Sequence, residues 1–207
     1  HDQLTGLYNR NHFVQYLQQT INQLKQGQHF SYLLLIDLDH FKTINDSLGH
    51  DVGDQLLIEV SQRMTQQLSR HHVLARLGGD EFIIIGPEFK LQEECKQSAI
   101  EFSEQLLERI KENYTIPPHH LYISASIGIN LLTGIDIKAS NFIKEADIAM
   151  YEVKASGRDG VILFNDELSK QIETHLQIER MLHFALEKNE IELKYQPQQD
   201  RDQSIIG

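Results

Sequence analysis

Acidic residues at two places in the chain have the type and position needed to bind a divalent cation. Asp37 and Asp39 end an apolar segment that reads as a buried strand, and Asp80 and Glu81 follow a glycine pair at a predicted hairpin. Ligands of open α/β sheets bind at the carboxyl edge of the strands. Carboxylates that converge there repel one another unless a cation lies between them, and hard oxygen ligands favour Mg²⁺. Taken singly, each pair is equally explained as a solvated strand end or a charged hairpin tip.

A second group of polar side chains follows the first acidic pair. Lys42 and Asn45 are three residues apart on a predicted helix, and His50 and Asp54 are four apart on the next, so each pair shares a helix face. A lysine can balance phosphate charge, and asparagine and aspartate can pair with the edge of guanine while leaving adenine unpaired. Helix capping or a solvated face explains any one of these residues alone.

Two cations, Lys154 and Arg158, lie four residues apart near the end of a predicted helix. Arginine can fork onto phosphate oxygens, so this pair can bind a triphosphate. Compensation of the helix dipole explains the pair equally well.

The elements that must position these residues follow from hydrophobic spacing. We predict helices over Asn11–Lys25, Phe41–Leu48, Val52–Leu68, Leu91–Tyr114 and Ala139–Lys154. We predict strands over Phe30–Leu38, Val73–Leu77, Phe82–Ile85, Leu121–Leu132 and Val161–Phe164. Helices alternating with strands, with one hairpin between them, indicate an α/β (α+β) fold with a mixed central sheet of about five strands covered by helices.

Composition excludes several classes of function. The 207 residues carry a net charge of −11 with no basic run, which argues against a nucleic-acid partner. Apolar runs reach only about five residues where a membrane span needs roughly 20, so we expect no membrane contact by this chain. The single cysteine, Cys95, fits a reducing compartment, and we expect a cytoplasmic location. The start at His1 without a methionine indicates a piece of a longer protein, whose upstream part is free to include a membrane anchor.

Five strings, in order, resemble the GGDEF family of diguanylate cyclases across residues 2–164. They are Asp2-x-Leu4-Thr5-Gly6-Leu7-x-Asn9-Arg10, Asp37-Leu38-Asp39-x-Phe41-Lys42, Asn45-Asp46 through Gly53-Asp54, Arg76-Leu77-Gly78-Gly79-Asp80-Glu81-Phe82 and Lys154-Ala155-Ser156-Gly157-Arg158. One departure is Asp159, where the family commonly has asparagine. The resemblance implies a fold like that of class III nucleotidyl cyclases and the polymerase palm.

The resemblance also implies roles for individual residues. Two Mg²⁺ ions, or Mn²⁺ in their place, would be held by Asp37, the Leu38 carbonyl and Asp80. The catalytic set would be Asp80, Glu81 and Lys42, with Lys42 stabilising charge on the reacting phosphate. The substrate-binding set would be Asn45 and Asp54 on guanine, His50 at the substrate, and Lys154 and Arg158 on the outer phosphates.

The implied activity is the condensation of two GTP molecules into cyclic di-GMP with release of pyrophosphate. Each domain would hold one GTP, so the active species would be a homodimer with two domains face to face. The alternative is a GTP-binding regulatory domain that controls an attached EAL phosphodiesterase domain without forming product. The preference for catalysis rests on the intact set Asp37, Asp80, Glu81 and Lys42. An assay with GTP and Mg²⁺ separates the two alternatives.

Three segments are expected along the chain. Residues 1–167 form the cyclase domain, residues 168–189 a linker helix, and residues 190–207 resemble the opening of an EAL domain through the string Ile191-Glu192-Leu193-Lys194-Tyr195-Gln196-Pro197-Gln198. The expected partners are therefore GTP, a second GGDEF subunit, the downstream EAL domain and an upstream sensor region. No phosphodiesterase activity is expected from this chain.

Overall fold

A computed structural model describes residues 1–133 and 138–170, together with residues 174, 177, 178, 181, 182 and 194. The chain divides into two compact units, residues 1–169 and 170–207. Residues 166–170 are helical, and the predicted linker helix covers residues 168–189. The rest of that linker and the expected EAL start at 190–207 lie almost wholly outside the described residues, so both stay predictions.

All helices and strands named below belong to the first unit. The helices are α1 (Arg10–Gly27), α2 (Phe41–Leu48), α3 (His50–Gln67), α4 (Gln92–Ile110) and α5 (Ala139–Ala155). The strands are β1 (Ser31–Leu38), β2 (Val73–Gly78), β3 (Glu81–Ile85), β4 (Tyr114–Ile116), β5 (His119–Leu121), β6 (Ala125–Leu132) and β7 (Gly160–Leu163). No described helix combines the length and apolar character that crossing a membrane requires.

The central sheet has five strands in the order β2-β3-β1-β6-β7. Its pairs are antiparallel except β6 with β7, which is parallel. This arrangement confirms the predicted mixed sheet covered by helices. Strand β1 lies at the centre, so the residues that follow it emerge in the middle of one sheet edge.

Strand β1 is apolar because both faces of the sheet are covered. Its even-numbered residues, Tyr32, Leu34 and Ile36, belong to a core with α3 and α4. Its odd-numbered Leu33 and Leu35 belong to a second core with α1 and α5. Each fully buried side chain of this size contributes about 1.5–3 kcal/mol relative to an exposed one.

A small second sheet, β4 paired with β5, was not predicted. The sequence pattern indicated one strand over Leu121–Leu132, whereas the structure begins β6 at Ala125 and places a separate hairpin before it. Each hairpin strand has three residues, which is too short for an alternating pattern to stand out.

Candidate active site

Three carboxylates converge at the carboxyl end of β1. Asp37 is the register partner of Glu81 in the antiparallel β1–β3 pair. The backbone N–H of Leu38 donates to the carbonyl of Asp80 at 3.3 Å, which extends the pairing to the hairpin turn. The acidic residues that sequence reasoning selected at two distant places therefore occupy one corner of the sheet.

The electrostatics of this corner reflect crowded negative charge. Burial raises the pKa of Asp37, and the charges of Asp80 and Asp39 raise it further, while a hydrogen bond from Lys154 opposes the shift. The Lys154 ammonium lies 2.8 Å from a carboxylate oxygen of Asp37. The corner therefore attracts cations, and the chain itself supplies one.

Glu81 shows the same effect from its position across the strand pair. Burial raises its pKa, and the charge of Asp37 adds to the increase. Arg10 opposes the shift through a 3.9 Å ion pair in which both side chains are well exposed. Asp147 on α5 also raises the pKa of Glu81, so a further acidic residue lies within electrostatic range of the corner.

The donor set fits a hard divalent cation. Carboxylates of Asp37 and Asp80 beside the Leu38 backbone supply only oxygen ligands, which suit Mg²⁺ and Mn²⁺. Within the described part of the chain, no three histidine, cysteine or acidic side chains are grouped to hold a metal by themselves. A metal here would need backbone and substrate oxygens to complete its shell, as Mg²⁺ commonly does with phosphates.

Asp39 has a different environment from Asp37. Only 3% of Asp39 is exposed. The hydroxyls of Ser124 and Ser126 donate to its carboxylate at 2.7 Å each, and the backbone N–H of Asp159 donates at 3.1 Å. Because three donors from other segments occupy its carboxylate, Asp39 stabilises the protein interior and does not face the candidate metal site. The family resemblance had assigned a metal-binding role to Asp37 and none to Asp39.

A clamp that was not predicted fixes the hairpin carrying Asp80. The Arg76 guanidinium donates to the carbonyl of Gly79 at 3.0 and 2.7 Å, and to both carboxylate oxygens of Asp2 at 3.1 and 3.3 Å. Burial acts to raise the pKa of Asp2, but hydrogen bonds from Thr5 and Arg76 outweigh it and lower the pKa. The presence of Asp2 and Arg76 within the matched strings was the only sequence signal for this role.

The crossing of α2 and α3 holds a buried polar side-chain atom, Oδ1 of Asn45. It accepts no hydrogen bond from the described residues. A β-carbon at Gly53 would lie 1.8 Å from that oxygen, so a larger residue there would displace the Asn45 side chain. Leaving a buried acceptor unpaired is costly, which marks Asn45 as a candidate to bind a donor from outside the chain.

The remaining predicted substrate residues are exposed. Lys42 lies on α2, His50 and Asp54 on α3, and Arg158 in the turn after α5. Among the described residues, none of the four side chains has a hydrogen bond or ion pair. The structure thus brings together Asp37, Asp80, Glu81 and Lys154, and places the other candidates on the surface of neighbouring elements.

The family model described as "Diguanylate cyclase, GGDEF domain" matches residues 1–160. The chain is 38% identical over 197 residues to the bifunctional diguanylate cyclase/cyclic di-GMP phosphodiesterase MucR of Pseudomonas aeruginosa, which covers 95% of the chain and 28% of MucR. It is 34% identical over 197 residues to the cyclic di-GMP phosphodiesterase PdeR of Escherichia coli, covering 95% of the chain and 29% of PdeR. The chain thus spans under a third of the length of these curated relatives.

Solved structures agree in fold. The GGDEF domain of TpbB (YfiN) from Pseudomonas aeruginosa superposes with a TM-score of 0.78 at 28% identity, covering 84% of this chain and 99% of that one. The GGDEF domain of DgcB from Caulobacter crescentus, solved in complex with c-di-GMP, gives a TM-score of 0.71 at 25% identity, covering 78% and 94%. Sequence match and fold agree, and the chain belongs to the GGDEF-domain family of diguanylate cyclases.

Proposed function

We propose that this chain is a catalytically competent diguanylate cyclase that condenses two GTP molecules into cyclic di-GMP and pyrophosphate. The observation that carries this proposal is the convergence of Asp37, Asp80 and Glu81 at one corner of the sheet. Burial, and then the neighbouring acidic charges, raise the pKa values of Asp37 and Glu81. Keeping these carboxylates ionised side by side costs free energy, which a bound cation would offset.

The protein's part in the reaction would be positioning and charge neutralisation, since phosphoryl-type transfer needs little covalent help. Asp37, Asp80 and the Leu38 carbonyl would hold Mg²⁺. The bound metal would polarise the α-phosphate and lower the pKa of the attacking 3′-hydroxyl. Asp80, with Glu81 beside it, would accept the proton that the attacking 3′-hydroxyl loses, and Lys42 would balance negative charge on the reacting phosphate.

Nucleotide recognition would use the two helices that follow β1. The buried Oδ1 of Asn45 accepts no hydrogen bond within the described part of the chain, so a guanine N–H is a suitable donor. Asp54 lies one residue after Gly53 and would accept further guanine protons, with His50 nearby on the same helix. Adenine has an acceptor where guanine has its ring N–H, so it would leave these acceptors unpaired.

Lys154 and Arg158 would bind the outer phosphates. Lys154 already lies at the acidic corner through Asp37, so a short side-chain movement would carry its ammonium from a carboxylate to a phosphate. One domain holds one GTP under this scheme, so catalysis would require a second GGDEF subunit facing the first. The downstream EAL domain, an upstream sensor and a cytoplasmic location belong to the same proposal.

The test is product formation by the 207-residue chain at high protein concentration with GTP and Mg²⁺. Cyclic di-GMP and pyrophosphate are expected, and chelating the metal should stop both. Asp80→Ala should abolish turnover while leaving the thermal unfolding profile largely unchanged. Unchanged turnover in this variant would refute the metal assignment.

A second candidate is a GTP-binding domain that regulates an attached phosphodiesterase. Two observations favour it: relatives of similar identity, NbdA and PdeR, are named as phosphodiesterases, and Asp37 is already neutralised by Lys154. Tight GTP binding with no product, in a sample shown to be dimeric at the assay concentration, would select this candidate. Product formation would exclude it.

A further inference from the structure

We propose that Asp39 is a positioning residue for phosphate binding: its buried carboxylate fixes the turn after α5 and thereby sets the direction of Arg158. This inference rests on the proposed function, because it assigns Arg158 to the outer phosphates of GTP. It explains the role of Asp39, whose buried carboxylate is occupied by donors from the protein and does not face a ligand.

The first support is the set of donors around Asp39. One carboxylate oxygen accepts from the Ser126 hydroxyl, and the other accepts from both the Ser124 hydroxyl and the backbone N–H of Asp159. Ser126 belongs to β6, whereas Asp159 is the residue next to Arg158. The carboxylate therefore links the central strand directly to the turn.

The second support is the conformation of that turn. Gly157, Arg158 and Asp159 have φ values of 114°, 68° and 51°, so three successive residues lie at positive φ. Arginine and aspartate adopt this region only at a cost, so the surrounding contacts must hold them there. The hydrogen bond from Asp159 N to Asp39 is one such contact, and that from Arg158 N to the carbonyl of Val153 at 2.9 Å is another.

The third support is an anchor on the opposite side of the turn. Lys111, the residue that caps the end of α4, forms a 3.1 Å ion pair with the carboxylate of Asp159. The backbone of Asp159 is thus bound to Asp39 while its side chain is bound to Lys111. This gives a physical role to the aspartate that departs from the family's common asparagine.

The last support is the relation between the two aspartates. Asp37 and Asp39 are two residues apart and continue the odd-numbered face of β1, which packs against α5. Asp37 holds Lys154 in the last turn of α5, and Asp39 holds the turn that carries Arg158. One strand end therefore orients both cations, directly in one case and through the backbone in the other.

The experiment measures equilibrium binding with two probes in the presence of Mg²⁺. The first is 3′-deoxy-GTP, which keeps the triphosphate but lacks the attacking hydroxyl. The second is GMP, which lacks the outer phosphates. In the Asp39→Asn variant, we expect the affinity for 3′-deoxy-GTP to fall about tenfold and that for GMP to change less than about twofold.

A double-mutant cycle separates positioning from general stability. If Asp39 acts through Arg158, Asp39→Asn added to Arg158→Ala should cause no further loss of 3′-deoxy-GTP affinity. Ser124→Ala removes one donor and leaves Asp39 in place, so it should show the same pattern with a smaller loss. If circular dichroism shows that Asp39→Asn does not fold, the affinities of Ser124→Ala for the two probes test the inference instead. The matched control is Glu112→Gln, which removes an ion-paired acidic residue at the end of α4 and should leave both affinities unchanged.

Each outcome is decisive. Equal losses for both probes, or losses that add in the double variant, would overturn the positioning role while leaving the proposed function intact. A wild-type chain that does not bind 3′-deoxy-GTP would instead overturn the proposed function, and the inference with it. In turnover assays, a KM for GTP raised more than kcat is lowered would agree with the binding result.

Discussion

The sheet edge and the helix pair that follows it are built in opposite ways. At the edge, charged groups are engaged with one another: Asp37 with Lys154, Glu81 with Arg10, and Arg76 with Asp2. On α2 and α3, Lys42 and Asp54 are exposed, and neither side chain has a hydrogen bond or ion pair to the described residues. Both regions supply residues to the same candidate site.

The difference indicates that the sheet edge and the helix pair have different roles in the candidate site. The edge holds its acidic groups in place through contacts within the chain, so its geometry exists before any nucleotide arrives, which is the arrangement that favours electrostatic catalysis. Under the proposed function, the polar groups of the helix pair, including the buried Asn45 Oδ1, would instead pair with the nucleotide. Substitutions at the edge should therefore change turnover or stability, and substitutions at the helix crossing should change nucleotide choice.

The largest effect is expected at the centre of the edge. Asp37→Asn should lower turnover by about 10³-fold, the scale seen when a group that stabilises transition-state charge is removed. A raised pKa means that the folded chain disfavours the ionised carboxyl, so the neutral variant should unfold at a higher temperature at neutral pH. Initial rates of pyrophosphate release and thermal melts measure the two changes.

The control for this variant is Glu88→Gln, beyond the other end of β3, where the exposed side chain pairs with His29. It should change neither turnover nor melting appreciably. A variant Asp37→Asn that melts lower than wild type would show that the Lys154 pair outweighs the burial of charge.

The next effect tests the helix crossing. Gly53→Ala places a β-carbon 1.8 Å from Asn45 Oδ1, so the asparagine side chain must turn away. We expect the preference for GTP over ATP in binding to fall by about tenfold or more, because the acceptor for guanine is lost. Stability should change little, since alanine gains up to about 1 kcal/mol of helix propensity over glycine.

Competition binding with both nucleotides makes the measurement for Gly53→Ala. Gln55→Ala, at an exposed position of α3, is the control and should keep the preference. An unchanged preference in Gly53→Ala would remove Asn45 from guanine recognition.

A smaller effect is expected at the clamp behind the hairpin. Asp2→Asn should lower the free energy of unfolding by about 1–2 kcal/mol near neutral pH, because charge-assisted hydrogen bonds to Arg76 and Thr5 are weakened. The pKa of Asp2 is lowered on folding, so its ionised form stabilises the fold above the usual aspartate pKa. That contribution disappears as the pH falls through the lowered value.

Urea unfolding of wild type and Asp2→Asn at several pH values follows this difference. The difference in free energy of unfolding between wild type and Asp2→Asn should become smaller as the pH falls below about 4. Glu104→Gln, at an exposed position of α4, is the control and should show no such trend. A gap independent of pH would mean that Asp2 contributes through packing and not through its charge.

The smallest effect is expected for Arg10→Ala. Its ion pair with Glu81 spans 3.9 Å with 60% and 38% of the two side chains exposed, and such pairs contribute less than about 1 kcal/mol. Thermal melts should therefore be nearly superimposable with wild type. A loss of stability as large as that of Asp2→Asn would show that exposed ion pairs, as well as buried ones, stabilise the sheet edge.

Much of the fold could be predicted because the signals are local. The helical spacing of Phe13, Leu17 and Ile21 predicted α1 within two residues of its observed ends, and the prediction of α2 agrees at both ends. The hairpin β4–β5 was missed since its strands are short. The acidic residues were predicted to converge, and their meeting depends on the β1–β3 register, which no local pattern specifies.

Periodicity and ordered strings were thus enough to identify the elements, the mixed sheet and the family, because each depends on residues close together in sequence. The different surroundings of the Asp37 and Asp39 carboxylates, in contrast, depend on the tertiary structure. The donors that saturate Asp39 come from positions 85, 87 and 120 residues further along the chain, and they meet it only once β6 and the turn after α5 have packed against β1. Hydrogen bonds of such sequence separation are specified by the packed core, which is why two neighbouring aspartates of identical chemistry acquired different surroundings.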